Sequence, residues 1–352
     1  MRSELPTKTI AIEGYDVVGD GDDTFVHRVT PTIVVKIVRR SNLNPQHQPE
    51  NHPLYEELEF YKCLHERQDR CADIVECFLT LPDSIFLSNC SNGTIENRLW
   101  ARQERQNPTT GYWYGGLIRV TEYEDPALIA RWIQQPKSAL EHVEKLGFCH
   151  NDLHSSNCLL DGNFNLKLTD FGLATKVGQP LLTTTPPRAM IIPAGPLGGK
   201  YGLCSARTEQ FAVGTLLYYM SYGFEPYDDI LNIEHDEMYR RVSNMEFPEL
   251  NRNEVFDGLI AACWYNVYPT MHFVAYDFKR KTKDIAALRP AEYIPIDTAK
   301  DTETCKELIR KGLLGPELAL RFQPSWRVYL YAVFTRSMFI WKSLLQKFWI
   351  WS

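Results

Sequence analysis

The spacing of three oxygen-bearing side chains restricts this chain most. Within HNDLHSSNCLL (His150–Leu160), Asp152 and Asn157 stand five residues apart, and Asp170 follows thirteen residues after Asn157, in NLKLTDFG. The short apolar runs CLL and NLKL flank Asp161-Gly162, a turn signal. Strand, tight turn and returning strand would bring Asp170 back beside Asn157. The fold therefore has to deliver a loop and the end of a hairpin to one point.

Two chemistries compete for this stretch. His150 and His154 are four residues apart, the spacing of a zinc-binding helix. Such a helix needs a Glu beside the first His as general base, and Asn151 stands there. The stretch also follows a helix stop at Gly147, and no third ligand is indicated by spacing, so zinc is set aside. The carboxylate–amide–carboxylate set suits a hard cation such as Mg²⁺ held against phosphates. Asp152 is then placed to orient an attacking hydroxyl.

The rest of the chain divides in two. The first third reads as strands. Val17–Val29 is two apolar ends around a Gly-containing turn, a hairpin; Ile33–Val38 (IVVKIV) is a β-branched buried strand; Asp73–Phe78 and Ser84–Cys90 are two more. Between them, after the proline-bearing loop Asn42–Pro53, Leu54, Leu58, Tyr61 and Leu64 mark one face of a helix. After the turn at Asn92-Gly93 the remainder reads as helical. Pro126–Leu146 is a long helix with Gly147 as its stop and a kink or break expected at Pro136. Gly178–Gly202 is loop, Thr208–Tyr222 a buried helix, and Cys263–Lys281 more helix. Asp301–Leu314 is an amphipathic helix with Asp301 or Thr302 as N-cap and Gly315 as stop. The aromatic segment Val328–Ser352 has no charge-free run long enough to span a bilayer. It reads as a helix docked on the preceding domain, ahead of a membrane-surface helix.

HNDLHSSN followed by DFG resembles the catalytic loop H-R-D-x-x-x-x-N and D-F-G of protein kinases. Upstream, GDGDDTFV resembles the glycine-rich loop, with Gly19, Gly21 and Val26 in place and Thr24 for the third Gly; IVVK resembles the strand that carries the phosphate-binding lysine, here Lys36. YEELEFYKCL resembles the helix whose Glu pairs with that lysine, here Glu57, with Glu56 as the fallback. Downstream, Arg207–Asp229 and Leu259–Thr270 resemble the F-helix and the Cys-Trp helix, with Glu209 where an Asp is usual. The likeness runs to about residue 285 and is strongest to kinase-like proteins of fungi.

The resemblance implies a bilobal α+β fold: a small antiparallel β-rich N-lobe over about 1–90, a larger helical C-lobe over about 91–285, and an extension over 286–352 without an assigned role. The interlobe linker falls at Ser88–Ser91, with Ser88 and Cys90 expected against the nucleotide. It implies transfer of the ATP γ-phosphate to a protein Ser or Thr hydroxyl. Lys36 would hold the α/β-phosphates, Gly19, Gly21 and Val26 would cover the nucleotide, Asp152 would orient the hydroxyl, and Asn157 and Asp170 would hold Mg²⁺. His150 would anchor the loop. The choice of Ser/Thr over Tyr follows base rate.

Several residues depart from the pattern. Asn151 replaces the Arg that reads an activation-loop phosphate, so activation without phosphorylation at Thr183–Thr185 is expected. His154 replaces a Lys beside the transferring phosphoryl group; a histidine of ordinary pKa near 6.5 would act by its charge only as pH falls, giving a modest rate that rises below pH 7. Asp20, Asp22 and Asp23 should weaken ATP affinity, and an Ala-Pro-Glu motif is missing between Asp170 and Glu209. His154 also suits small-molecule kinases of the aminoglycoside or choline type, and the departures together suit a nucleotide-binding scaffold that transfers nothing. The net charge of −6 argues against a nucleic-acid partner. Nine Cys without a Cys-x-x-Cys pair, and no apolar leader, suit an intracellular, cytoplasmic or nuclear protein.

Overall fold

The run Ile33–Val38 becomes the middle of an antiparallel sheet buried on both faces. This is why, Lys36 apart, it reads as apolar instead of alternating. In the computed structural model, residues 12–39, 52–67, 70–107, 115–182, 184, 187–192, 195–196, 198–230 and 233–323 are described. The sheet comprises β1 (Asp16–Asp20), β2 (Thr24–Arg28), β3 (Ile33–Val38), β4 (Cys77–Leu81) and β5 (Ser84–Ser88), in the order β1-β2-β3-β5-β4. Helix α1 (Tyr55–Arg67) follows β3 and buries Glu57, Phe60 and Tyr61. Val34 and Val38 face the core that α1 shares with the helical lobe, whereas Ile33 and Val35 face a second core on the opposite side of the sheet. The strand expected from Asp73 starts only at Cys77, because Ile74 instead bridges to Leu168 of the helical lobe and Val75 N–H bonds Leu168 C=O at 2.9 Å.

Beyond the linker, α2 (Ile95–Trp100) is closed by a capping box between Thr94 and Asn97. A hairpin of β6 (Gln103–Arg105) and β7 (Leu117–Val120) then interrupts the expected helical region. Its strands are too short to give a periodic signal. It is fixed by tertiary bonds, Gln103 to Gly223 C=O and Arg105 to Asp228.

Helix α3 (Pro126–Lys145) runs unbroken through Pro136. The expected break is absent because Trp132, Ile133, Ala139, Leu140 and Val143 are all buried, and their packing outweighs the ~3 kcal/mol that an internal proline costs. Gly147 (φ +85°) ends it. Then come β8 (Phe148–Cys149), a single 3₁₀ turn (Ser155–Asn157), β9 (Cys158–Leu160), β10 (Leu166–Leu168), β11 (Thr175–Lys176), α4 (Ala206–Tyr222), α5 (His235–Ser243), α6 (Glu254–Trp264) and α7 (Met271–Ala286). Every residue of α4 except Arg207 is buried, the signature of a central helix. A Cβ at Gly214 would lie 2.7 Å from Cys263 Cβ, so only glycine lets α4 and α6 approach this closely.

After α7 the chain forms a strap that crosses from one lobe to the other. Arg131, Asn163 and Asn165 hold the carbonyls of Pro290 and Glu292, and the Tyr293 hydroxyl bonds Asp73. Helix α8 (Thr298–Arg310) follows, with α9 (Pro316–Arg321) behind it. Asp297 caps α8 by accepting from Lys300 N–H, so the helix begins before the expected caps, Asp301 and Thr302. It stops at Gly312 (φ +96°), ahead of Gly315. Cys305 and Ile309 of α8, both fully buried, pack with Val29, Ile33, Val35, Phe78 and Phe86 as the second core. The segment Val328–Ser352 lies outside the described residues; among those, no helix is long and apolar enough to cross a membrane.

Candidate active site

The pleat of β3 turns Lys36 to the inner face, opposite Val26 of β2, which in turn faces Gly19 of β1. A Cβ at Gly19 would come within 3.1 Å of Val26, so glycine lets β1 lie close over it. Lys36 Nζ is 2.7 Å from Glu57 Oε2 and 2.9 Å from Asp170 Oδ1. Glu56 is exposed, so of the two candidates Glu57 is the partner. Burial alone would lower the Lys36 pKa; the carboxylates of Glu57 and Asp170 outweigh it and hold the ammonium above the ordinary lysine range. Asp170 is likewise held below its ordinary range by Lys36, against burial.

The hairpin β9–β10 returns Asp170 as its spacing requires. Leu168 pairs with Cys158, and Thr169 N–H bonds Asn157 C=O at 3.1 Å. Asp170 sits at φ +62°, a left-handed conformation that Asp tolerates better than most residues. Next to it, Phe171 is fully buried. It stacks on Phe60 of α1 (centroids 3.8 Å apart, planes at 9°) and meets His150 edge-on at 4.9 Å. One apolar column thus links the helix carrying Glu57 to the loop carrying Asp152.

That loop is wired by its backbone. His150 Nδ1 accepts from Asp152 N–H (3.2 Å), and its Nε2 faces Thr169 C=O (2.9 Å), so the ring is neutral with its proton on Nε2. Burial also lowers the His150 pKa. The N–H groups of His150 and Asn151 both donate to the Glu209 carboxylate at 2.9 Å. Asn157 gives both amide hydrogens to Asp152, at its C=O and its Oδ2 (2.9 Å each), and its own carbonyl oxygen takes part in neither bond. The two histidines thus serve different backbone groups, because His154 Nδ1 accepts from Ser156 N–H at 3.3 Å. That bond needs an unprotonated Nδ1. On its other side, His154 Nε2 lies 3.5 Å from Asp152 Oδ2. Its nearness, against burial, keeps the Asp152 carboxyl below its ordinary range.

Three features of the site were not anticipated. Arg39, one residue past β3, pairs with Asp20, bonds Gly21 C=O (2.7 Å) and lies over the Phe25 ring, so it neutralises part of the acidic turn. Glu209 serves as the loop's anchor; only its mismatch with the family's Asp flagged it. Ser88 is tied to Glu76 twice, its N–H bonding Glu76 C=O (2.8 Å) and its hydroxyl accepting from Glu76 N–H (3.2 Å), which leaves the hydroxyl hydrogen to donate elsewhere. Ser88 is the last residue of β5, and Cys90 follows in the linker. Burial pushes the Cys90 thiol up to about 12, so it stays protonated.

A family model described as protein tyrosine and serine/threonine kinase matches residues 21–270. The chain belongs to the protein kinase superfamily. Its kinase domain is 33% identical over 158 residues to the tyrosine-protein kinase transforming protein Abl of Abelson murine leukemia virus (43% of this chain, 21% of that protein). It is 27% identical over 228 residues to maternal embryonic leucine zipper kinase of Danio rerio (62% and 30%) and 33% identical over 121 residues to CBL-interacting serine/threonine-protein kinase 20 of Arabidopsis thaliana (33% and 27%). The kinase chain thus spans less than a third of the length of these relatives.

Departures from the kinase pattern have local substitutes. Asn151 (φ +66°) bonds Leu173 C=O directly with its amide at 3.1 Å, where an Arg would await a phosphate. Arg207 holds Tyr201 C=O, Thr215 holds Pro187 C=O (2.8 Å), and Tyr201 hydroxyl bonds Thr184 C=O (2.6 Å), so the segment after Asp170 is pinned through its own backbone. Glu209 carries a pH signature. Burial pushes its carboxyl up to about 7, although the N–H groups of His150 and Asn151 pull it down, and Glu144 and Asp152 add like charge. A raised carboxyl pKa means that its contribution to stability is full below the unfolded-state value and is lost as pH rises through about 7. In Glu209→Gln that pH dependence should vanish, and an amide NH₂ facing two N–H donors should cost about 1–3 kcal/mol. Unfolding curves at pH 5 and pH 8 for both proteins test this; an unchanged pH dependence would refute it.

Proposed function

We propose that this kinase transfers the γ-phosphate of Mg²⁺-bound ATP to Ser or Thr hydroxyls of protein substrates. The observation that carries the reading is the simultaneous bonding of Lys36 to Glu57 and Asp170, which needs both lobes correctly set. Lys36 would hold the α/β-phosphates, and Gly19, Gly21 and Val26 would let the β1–β2 turn cover them. The Asn157 side-chain Oδ1 and the Asp170 carboxylate, hard oxygen donors on adjoining chain segments, fit Mg²⁺. That ion would neutralise phosphate charge; the protein's own share is positioning. Asp152, fixed by Asn157 and His150, would orient the substrate hydroxyl and accept its proton. His154 would steady Asp152 instead of the phosphoryl group.

Support for Ser/Thr comes from the Arabidopsis relative, which is named as a serine/threonine-protein kinase, and the Abl match makes Tyr the other acceptor to test. Nine unpaired cysteines support a reducing compartment. Autophosphorylation with labelled ATP, followed by phosphoamino-acid analysis, tests both activity and acceptor. Label on Ser or Thr in wild type and none in Asp152→Asn is expected; nucleotide binding without transfer would instead favour a scaffold. Because Asn151 and Tyr201 pin the activation segment without phosphate, the triple variant Thr183→Ala, Thr184→Ala, Thr185→Ala should keep most activity, and loss of most of it would refute that account. Thr183 and Thr185 lie outside the described residues.

A further inference from the structure

On the back of the helical lobe a cavity of about 380 Å³ lies between α3, α7 and the strap. Arg131 and Lys137 of α3 and Lys279 and Lys283 of α7 line it, with Asp73 and Tyr293. Four cations thus surround one carboxylate, and that carboxylate is already bonded by the Tyr293 hydroxyl.

None of the four makes an ion pair among the described residues, although Glu141 lies near enough to Lys137, and Asp161 to Arg131, to act on their charge. Lys137 is only 4% exposed, its Nζ bonds the carbonyl of Ala275 at 2.9 Å, and it makes no ion pair among the described residues. Arg131 holds the carbonyls of Pro290 and Phe164, and its buried Nε has no partner. Lys279 and Lys283 are exposed and make no ion pair among the described residues, whereas Lys281 on the same helix is paired with Asp277 at 2.9 Å. A buried ammonium without a counter-ion is costly. Burial accordingly pulls Lys137 down to about 8.

We propose that this pocket binds a phosphate-type oxyanion, free or carried on a small molecule, with Lys137 at its floor and Lys279 and Lys283 at its rim. A tetrahedral dianion can take donors from several directions at once, which suits cations spread over two helices. Because Tyr293 closes one wall, the bound anion would also fasten the strap to α3 and α7.

The test is thermal unfolding of the full chain against increasing inorganic phosphate, with ionic strength held constant by NaCl. Wild type should show a saturable rise of about 3 °C. Lys36→Met, which weakens phosphate binding in the catalytic cleft, should keep that rise. The exposed pair Lys279→Ser with Lys283→Ser should weaken the apparent affinity at least tenfold without unfolding the protein. O-phosphoserine in place of phosphate distinguishes the sources: an equal shift supports a carried phosphate group, no shift a free ion. The proposal is overturned if wild type shows no saturable rise, if the double lysine variant keeps the wild-type apparent affinity, if Lys36→Met abolishes the rise, or if acetate produces the same rise.

Discussion

Asp170→Ala abolishes phosphoryl transfer and leaves the protein folded: this is the expected result with the largest effect on activity. Asp170 is the only side chain among the described residues that touches Lys36 from the loop side of the cleft, at 2.9 Å, and in the proposed mechanism it also offers the anionic oxygen for Mg²⁺. Removing it takes away both contacts. The loss in single-turnover rate should reach about 10³-fold or more, the scale of deleting a preorganised charge at a phosphoryl-transfer centre. Folding should persist, because Lys36 keeps Glu57 at 2.7 Å and Phe171 keeps its stack on Phe60. The melting temperature should stay within a few degrees. Near-normal transfer in this variant would remove the metal assignment, and collapse of the fold would mean that the Lys36–Asp170 bond is structural first.

The largest expected effect on stability comes from far outside the cleft. Ile309→Asp should lower the melting temperature by about 10 °C or more. Ile309 is fully buried against the outer face of the sheet, among Ile33, Val35, Phe78 and Phe86. The substitution loses about 1.5–3 kcal/mol of apolar burial and adds the cost of a carboxylate in an apolar site. Against a typical total of 5–15 kcal/mol, that is a large fraction. Ending the chain after Arg289 should be worse, since it bares the whole outer face. Thermal denaturation read by circular dichroism decides both; a shift under about 2 °C for Ile309→Asp would show that α8 is not part of the core.

How far these features can be read from sequence follows from the range over which each is determined. The hairpin that returns Asp170 was legible because CLL, Asp161-Gly162 and NLKL are contiguous. The partnership of Lys36 with Glu57 was legible only through the motif, since nothing local distinguishes Glu57 from Glu56; burial does. Of the kink or break expected at Pro136, the break does not occur, because the penalty of an internal proline is local while the packing that overrides it is tertiary. The hairpin β6–β7 went unseen for a similar reason: its bonds run to Gly223 and Asp228, more than a hundred residues away. His154 was read by analogy with the family's Lys, and its bond from the backbone N–H of Ser156 could not be anticipated from composition.

Helix α8 has a consequence for the order of events during synthesis. The sheet strands β1–β5 have all been made by residue 88, yet their outer face stays uncovered until Cys305 and Ile309 have been made. Pairings that span more than two hundred residues close slowly, and an apolar sheet face left waiting is a site for misassembly. The lobe translated first is therefore the lobe completed last, and a chain that stops between α7 and α8 would carry a finished helical lobe beside a sheet that still needs a chaperone.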